Sequence, residues 1–365
     1  MERVLEKKNI ARNKILNFML NQESTTKAEL AKQLNLSMPT VLLNVGELTE
    51  SGLITEVGEM ESTGGRKARR IALNENYCYA VGVDITAHHV GMVLVNLGGR
   101  IVKQSRLCFD FEESMAYCRK LTDLVQDFYQ DAADVRKILG IGISLPGIIY
   151  ERERMLARSH ALRLENYSLK MMEQFLPLPV YFENDANAAM LAENPSRAGD
   201  AVYLSLNNTL GGAVCIDGRL LPGHNRKAGE FGHMLLHPGG KTCYCGKQGC
   251  ADAYCAASVL TENGKISLDV FLESLETEER AAHMWEEYLE NLAILISNIR
   301  MVFDTDIVLG GDVGGYLGMY MTELGEKVLK YNMFDKDVSY LKNCSYRKEA
   351  SAVGVAKHFF QRFVE

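Results

Sequence analysis

One pattern runs twice along this chain, and it restricts the fold more than any single motif does. "CYAVGVDITAHHVGMVLVNLGGRIV" reads as an apolar strand, a turn and an alternating strand, and a helical pattern follows over about 112–130. "KILGIGISLPGII" is then a continuous apolar strand that ends in a Pro-Gly turn, as a strand buried on both faces does when its end opens on a cleft. The second round begins at "LPVYFENDANAAMLAE", a strand running into a helix. It continues through the hairpin "AVYLSLNNTLGGAVCIDGRLL", a long helix near 280–303, the strand "DIVLGGDV" and a last helix, "SAVGVAKHFFQRFV". Repeated hairpin and strand–helix units predict a duplicated α/β fold with a ligand cleft between two lobes.

The first seventy residues have a different texture. "NKILNFMLNQ" spaces Ile15, Leu16, Met19 and Leu20 at helical intervals. Thr26 with Glu29 has the spacing of a capping box, and Ala31, Leu34 and Leu36 form an apolar side. Ser37 caps a further helix that tolerates Pro39 in its first turn, carries Val41, Leu42, Val45 and Leu48 as its core stripe, and ends at Gly52. This is a helix-turn-helix layout, with Ser37, Met38, Thr40 and Asn44 left to face a DNA major groove. "LITEVGE" and "RKARRIALN" suit the strands of a wing around the basic tip "STGGRKARR", where Arg66 and Lys67 would meet phosphates or a narrow minor groove. A three-helix interaction module with a solvated charge run is the blander reading. Against it stands the joint occurrence of caps, turn, wing and basic tip in this order.

Charge supports the division. The chain carries −7 overall, which taken alone argues against nucleic acid, yet residues 1–73 hold eleven Lys and Arg against nine Asp and Glu. A length of 365 residues suits two or three domains, here a head over 1–73 and a body over 74–365. No apolar run approaches the ~18–20 residues that span a bilayer, and the N-terminus has no apolar signal core, so a cytoplasmic protein without membrane contact is expected.

In such a compartment thiols stay reduced, which bears on "FGHMLLHPGGKTCYCGKQGC", Phe231 to Cys250. His233, Cys243, Cys245 and Cys250 supply one imidazole and three potential thiolates, the donors of a closed tetrahedral zinc site. The glycines at 246 and 249 let a C-x-C-x₄-C loop wrap the ion. A disulfide or idle thiols are the other readings. His237 is the rival imidazole, and Cys255 is expected to be a small buried side chain. Four protein ligands leave no open position for water, so this Zn2+ is read as structural. A histidine held through one nitrogen keeps the other for a ligand in the cleft.

"VYFENDANAAMLAE", "AGEFGH", "CYCGKQGC" and "IVLGGDVGG", in this order and spacing, resemble the ROK family of repressors and sugar kinases, over nearly the whole chain. The N-terminal winged helix is the mark of its repressor branch. The resemblance implies an actin-like, ribonuclease-H-like sugar-kinase-type body of two lobes, about 74–184 plus the C-terminal helix 350–365, and about 185–349 with the zinc loop. It also implies assembly as a homodimer or homotetramer, and the same four zinc ligands.

Sugar hydroxyls call for adjacent polar groups with carboxylates as the strongest acceptors, and Asn184, Asp185, Glu230 and His233 offer them. The resemblance implies sugar contact at these positions, with Asp185 as the residual catalytic base. Where the family usually has a glutamate two residues after the last zinc cysteine, this chain has Asp252, one methylene shorter. The family's kinases carry an aspartate followed by x-G-G-T in the first hairpin, whereas Asp84 is followed by "ITAHH", with Thr86 and Ala87 at the glycine positions. Their Cβ atoms crowd the approach of a phosphate. The second phosphate loop, G-T-G-x-G in the kinases, reads "NNTLG", Asn207 to Gly211, while Gly310 and Gly311 remain. The expectation is a DNA-binding regulator whose sugar-kinase-type body binds a sugar without phosphorylating it. Its rivals are an ATP-dependent sugar kinase with a DNA-binding head and a regulator answering to a protein partner.

Overall fold

The computed structural model describes residues 2–20, 22–59, 69–131, 134–193 and 199–364. The head comprises α1 (Glu2–Leu20), β1 (Thr25–Thr26), α2 (Lys27–Gln33), α3 (Met38–Glu50), β2 (Ile54–Glu59) and β3 (Arg69–Leu73). Local chemistry sets its helix starts. Thr26 accepts a hydrogen bond from the Glu29 amide, while the Glu29 carboxylate accepts one from the Thr26 amide at 2.9 Å, so two orphan donors are satisfied reciprocally. Ser37 in extended conformation accepts from the Thr40 amide, and Pro39 sits in the first turn of α3. Asn35 turns the chain between α2 and α3 with φ 51°, a left-handed conformation that its short polar side chain tolerates. Val41, Val45 and Leu48 of α3 bury themselves with Leu30 of α2 and Ile15, Leu16 and Met19 of α1. The strands order β1-β3-β2, with a bulge between Glu56 and Gly58 of β2.

The body follows with β4 (Tyr79–Ile85), β5 (His89–Asn96), β6 (Ile101–Cys108), α4 (Met115–Gln130), β7 (Ile138–Leu145), β8 (Ile148–Tyr150), β9 (Met155–Ser159) and β10 (Leu164–Ser168). Next come α5 (Lys170–Glu173), β11 (Val180–Asn184), α6 (Asp185–Glu193), β12 (Ala201–Leu206), β13 (Leu210–Ile216) and β14 (Arg219–Leu220). The chain closes with α7 (Asp252–Cys255), α8 (Ala257–Leu260), α9 (Leu268–Glu273), α10 (Glu279–Phe303), β15 (Asp306–Gly310), α11 (Gly311–Gly314), α12 (Met321–Tyr331), β16 (Leu341–Asn343) and α13 (Ala350–Val364).

The chain divides into two compact units, one of Met1–Ile143, Lys170–Tyr181 and Val355–Glu365, the other of Ser144–Leu169 and Phe182–Gly354. Segment Ser144–Leu169 thus goes with the second unit rather than with the first lobe outlined from the sequence. The sheet of the first unit orders its five strands β11-β7-β4-β5-β6, with β4, β5 and β6 antiparallel. In the second unit the order is β14-β13-β12-β15-β16, antiparallel from β12 to β14 and parallel across β15 and β16. The repeated hairpin and strand–helix pattern thus appears as two five-stranded sheets. In the second, Leu204 and Leu206 of β12 and Leu309 of β15 pack with Leu289, Leu292 and Ile296 of α10, all fully buried. Burying each such side chain contributes roughly 1.5–3 kcal/mol.

The segment between head and body is short and hydrogen-bonded at each end. Asn74 donates from its amide to the Leu53 carbonyl and from Nδ2 to the Gly52 carbonyl. Two residues on, Asn76 accepts from Asn96 Nδ2, and the Leu97 amide donates to the Glu75 carbonyl at 2.9 Å.

Candidate ligand pocket and metal centre

Within the second unit, the strand end at β11–α6, the hairpin β12–β13 and the loop 226–233 surround a cavity of about 450 Å³. Asn184, Asp185, Glu230 and His233, the sugar candidates from "VYFENDANAAMLAE" and "AGEFGH", all line it. Their roles differ. Asn184 donates from Nδ2 to the Gly147 carbonyl at 3.0 Å and to Asp185 Oδ1 at 2.9 Å, and its Oδ1 accepts from the Asn187 amide. It therefore positions Asp185, which opens α6 where the helix dipole favours a negative charge. Glu183, buried at the end of β11, accepts from Asn187 Nδ2 and from the Asn184 amide. Gly229, with φ 87°, passes so close to the Gly212 carbonyl that a Cβ would lie 2.5 Å from its oxygen, and this fixes the entry of the chain into Glu230. The Glu230 side chain opens on the cavity, yet surrounding protein raises its pKa by desolvation, an effect that His160 and Lys227 partly counter.

Asp252 departs from its expected role. It is not among the residues that line the cavity; it is 6% exposed, and its Oδ1 accepts from the amide of Leu210, a lining residue, at 2.7 Å. Burial raises its pKa, against the opposing pull of the Leu210 amide and His233. The shorter carboxylate thus anchors the β12–β13 loop rather than reaching the pocket.

His233, Cys243, Cys245 and Cys250 present one donor atom each, all within 4.8 Å of one another. His233 Nδ1 lies 3.8 Å from Cys243 Sγ, and Cys245 Sγ lies 3.8 Å from Cys250 Sγ. Bonds of about 2.3 Å to a tetrahedral zinc would separate two sulfurs by about 3.8 Å, so the cluster is sized for that ion. Gly249 makes the wrap feasible, since with φ 88° its missing Cβ would fall 1.8 Å from the His237 carbonyl oxygen. Burial pushes the Cys243 thiol up to about 12 and raises that of Cys250, so these two thiolates are costly unless a cation neutralises them. Against burial, the Lys247 amide lowers Cys245, while burial lowers His233, which favours the neutral imidazole that a metal takes. His237, the rival imidazole, bonds Asn291 Oδ1 and packs on Tyr254, and Cys255 is fully buried.

With Nδ1 facing the thiols, His233 turns Nε2 toward the hydroxyl of Tyr244 at 3.2 Å. Tyr244 lines the cavity and sets its ring edge-on to His160 as well as His233. The expectation of a free imidazole nitrogen in the cleft is corrected accordingly, because that nitrogen has a tyrosine partner. Tyr244, His160, Arg158 and Lys227 were missed from the sequence. Tyr244 alone carried a signal, its place between two metal cysteines.

The loops at the expected phosphate positions are closed on themselves. Thr86 donates its amide to the His89 carbonyl at 2.9 Å, and its Oγ1 accepts from the His89 amide. In the second loop, Asn207 Oδ1 accepts from the Asp312 amide at 2.8 Å, at the start of α11, while Nδ2 donates to Ser205 Oγ. The Thr86, His89 and Asp312 amides are thus engaged within the fold.

In the head, Ser37 and Met38 are exposed at the start of α3, and Thr40 is partly exposed with Oγ1 2.8 Å from Ser37 Oγ. Asn44 is not groove-facing. It is 2% exposed and donates to the Thr40 carbonyl, one turn back on its own helix. Leu42, placed in the core stripe from the sequence, is instead 50% exposed, beside Leu43 at 56%. Arg66 and Lys67 lie outside the described residues.

A helix-turn-helix with a wing, joined to a sugar-kinase-type α/β body, defines a DNA-binding regulator built on a kinase scaffold. The profile of the ROK family matches residues 80–362, and that of a winged helix-turn-helix DNA-binding domain matches residues 8–55. The chain belongs to the ROK family. It is 26% identical to the xylose repressor of Caldicellulosiruptor bescii over 347 residues, covering 88% of this chain and 87% of the relative. Its fold is that of a crystal structure described as a ROK family transcriptional regulator, homolog of the E. coli MLC protein, with TM-score 0.75, 19% identity and 98% of each chain covered. The ROK hexokinase from Thermus thermophilus matches with TM-score 0.62 and 24% identity, over 76% of this chain and 96% of its own. The kinase therefore shares the body, and the regulator shares the full length. No helix among the described residues is long and apolar enough to cross a membrane.

Proposed function

We propose that the protein is a sugar-responsive transcriptional repressor. Its pocket binds a sugar through Asp185, Glu230 and the His233–Tyr244 pair, and it does not phosphorylate that sugar. The observation that carries this reading is a contrast within one scaffold. Carboxylates and imidazole face the cavity, while Asn207 and Thr86 occupy the amides and turn that phosphates would use. The kinase alternative needs those amides free.

The Cys₃His cluster holds a structural zinc in this reading, since four protein donors complete a tetrahedron and leave no position for water. Its work is to fix His233 and the Tyr244 loop at the pocket edge. A homodimer or homotetramer would present paired heads to two operator half-sites. Sugar changes operator affinity only to the extent that it binds the two states of the protein unequally. The hydrogen-bonded Asn74–Asn76 segment supports a mechanical link from body to head.

The test is operator binding by the purified, zinc-loaded protein against a panel of sugars, by fluorescence anisotropy. One sugar is expected to change the affinity at least fivefold, with no sugar phosphate formed in the presence of Mg-ATP. A body that turns over ATP with that sugar contradicts the proposal.

A further inference from the structure

The base-reading helix of the head offers a groove little hydrogen-bonding chemistry: two small hydroxyls bonded to each other and no exposed amide or basic side chain. Of the four residues expected to face a groove on α3 and its cap, Asn44 is buried and Ser37 and Thr40 bond to each other. What α3 presents to solvent through its first two turns is Met38 at 41%, Leu42 at 50% and Leu43 at 56%, with Pro39 and Gly46 beside them. Its only charges are Glu47 and Glu50, at its C-terminal end. Cations of the head lie on other elements, such as Lys27 and Lys32 of α2 and Arg69 and Arg70 of β3.

Met38, Leu42 and Leu43 lie exposed together on this 13-residue helix, and a contiguous apolar patch of this kind marks an interaction site. The helix lies within the segment matched by the winged helix-turn-helix DNA-binding profile, so its occupant on that assignment is a base-pair edge. In the major groove the only apolar group on any base edge is the thymine C5-methyl. Guanine and adenine offer N7 with a second polar atom to bidentate donors, and α3 exposes no Arg, Lys, Asn or Gln to use them.

We infer that α3 reads its half-site by packing Leu42, Leu43 and Met38 on thymine methyl groups, so that the operator carries T·A pairs wherever this helix enters the groove. Phosphate contacts from other elements give affinity without sequence information. The inference rests on the reading of the head as a DNA-binding module, and the experiment separates the two.

Full-length protein is used to select duplexes from a random library, and the selected site is then resynthesised with single dT→dU replacements, which remove only the methyl group. Burying one methyl is worth about fourfold in affinity, so each contacted thymine is expected to lose about fourfold on replacement. Leu42→Ala and Leu43→Ala should abolish that sensitivity while leaving the unfolding temperature unchanged. If no duplex is enriched, the DNA-binding reading itself fails and takes this inference with it. Enrichment of sites that tolerate uracil throughout, or that place G·C pairs at the positions sensitive to Leu42 and Leu43, overturns the inference alone. So does a change in oligomeric mass in the leucine variants with DNA affinity intact, which would make the face a protein interface.

Discussion

Two loops of the second unit use their polar side chains in different ways. At β11–α6 the polar side chains brace one another so that Asp185 faces the cavity, with Asn184 bonded to Gly147 and Asp185 and Glu183 bonded to Asn187. At β12–β13 the polar side chain bonds to the fold itself, with Asn207 Oδ1 on the Asp312 amide. The first arrangement keeps a site ready for a ligand. The second engages the Asp312 amide with a carboxamide oxygen, which in the proposed reading leaves it unavailable to a phosphate. In the proposed reading, one scaffold keeps sugar recognition and gives up phosphoryl transfer through side chains at a few loop positions.

The contrast can be broken most severely at the metal cluster. Removing zinc, or replacing Cys250 with Ser, should unfold the loop that carries Glu230, His233 and Tyr244, with a stability loss of several kcal/mol, toward the ~10 kcal/mol that structural zinc supplies in small domains. Thermal unfolding with parallel zinc quantification reads this, and a chelated protein that still binds sugar would contradict it. Next in size is Glu230→Gln, which removes a charged acceptor worth about 1.5–3 kcal/mol and should weaken the sugar roughly 10- to 100-fold by calorimetry. Operator affinity without sugar should stay within about twofold, because the head is untouched.

Asp252→Ala probes the neighbouring loop. It strands the Leu210 amide in a buried site, at about 1–3 kcal/mol by denaturant unfolding, while saturating sugar still binds. Acidification sharpens the pocket side of the comparison. The folded Glu230 pKa is raised, so between the ordinary carboxylate value and that raised value the folded protein holds more protons than the unfolded chain. Glu230 therefore adds stability as pH falls through that window. Sugar affinity moves the opposite way, falling as the accepting carboxylate is protonated, and calorimetry across mildly acidic pH reads that sign. The smallest effect is expected at Asn44→Ala. One hydrogen bond goes together with a buried Oδ1 that has no partner, so stability should shift by about 1 kcal/mol or less, and base preference should not move.

Much of this was legible in the sequence because it depends on local spacing. Thr26 with Glu29, Ser37 with Pro39, and the Cys-x-Cys-x₄-Cys loop each keep their partners within eight residues of one another, and the structure brings each set together. The periodic apolar strands gave two similar sheets for the same reason. What stayed hidden depends on partners far along the chain. Asp252 binds an amide 42 residues earlier, which no spacing reveals. Tyr244 was a residue between two cysteines until the fold turned its hydroxyl to His233. Leu42 and Asn44 exchanged expected places because polarity alone suggested which should be buried, whereas the packing of α3 on α1 and α2 decided it. The Ser144–Leu169 segment, likewise, joins the second unit through tertiary contacts that its strand pattern does not encode.

The most direct measurement is thermal unfolding of the zinc-loaded protein against a sugar panel, each member with and without Mg-ATP, followed by an assay for ADP on any sugar that shifts the transition. A ligand at ~100 times its dissociation constant adds about 2.7 kcal/mol, a readable shift. One sugar stabilising the protein, with Mg-ATP adding nothing and no ADP released, is the expected result. Further stabilisation by Mg-ATP with sugar-dependent ADP release would contradict the claim that this pocket senses without phosphorylating.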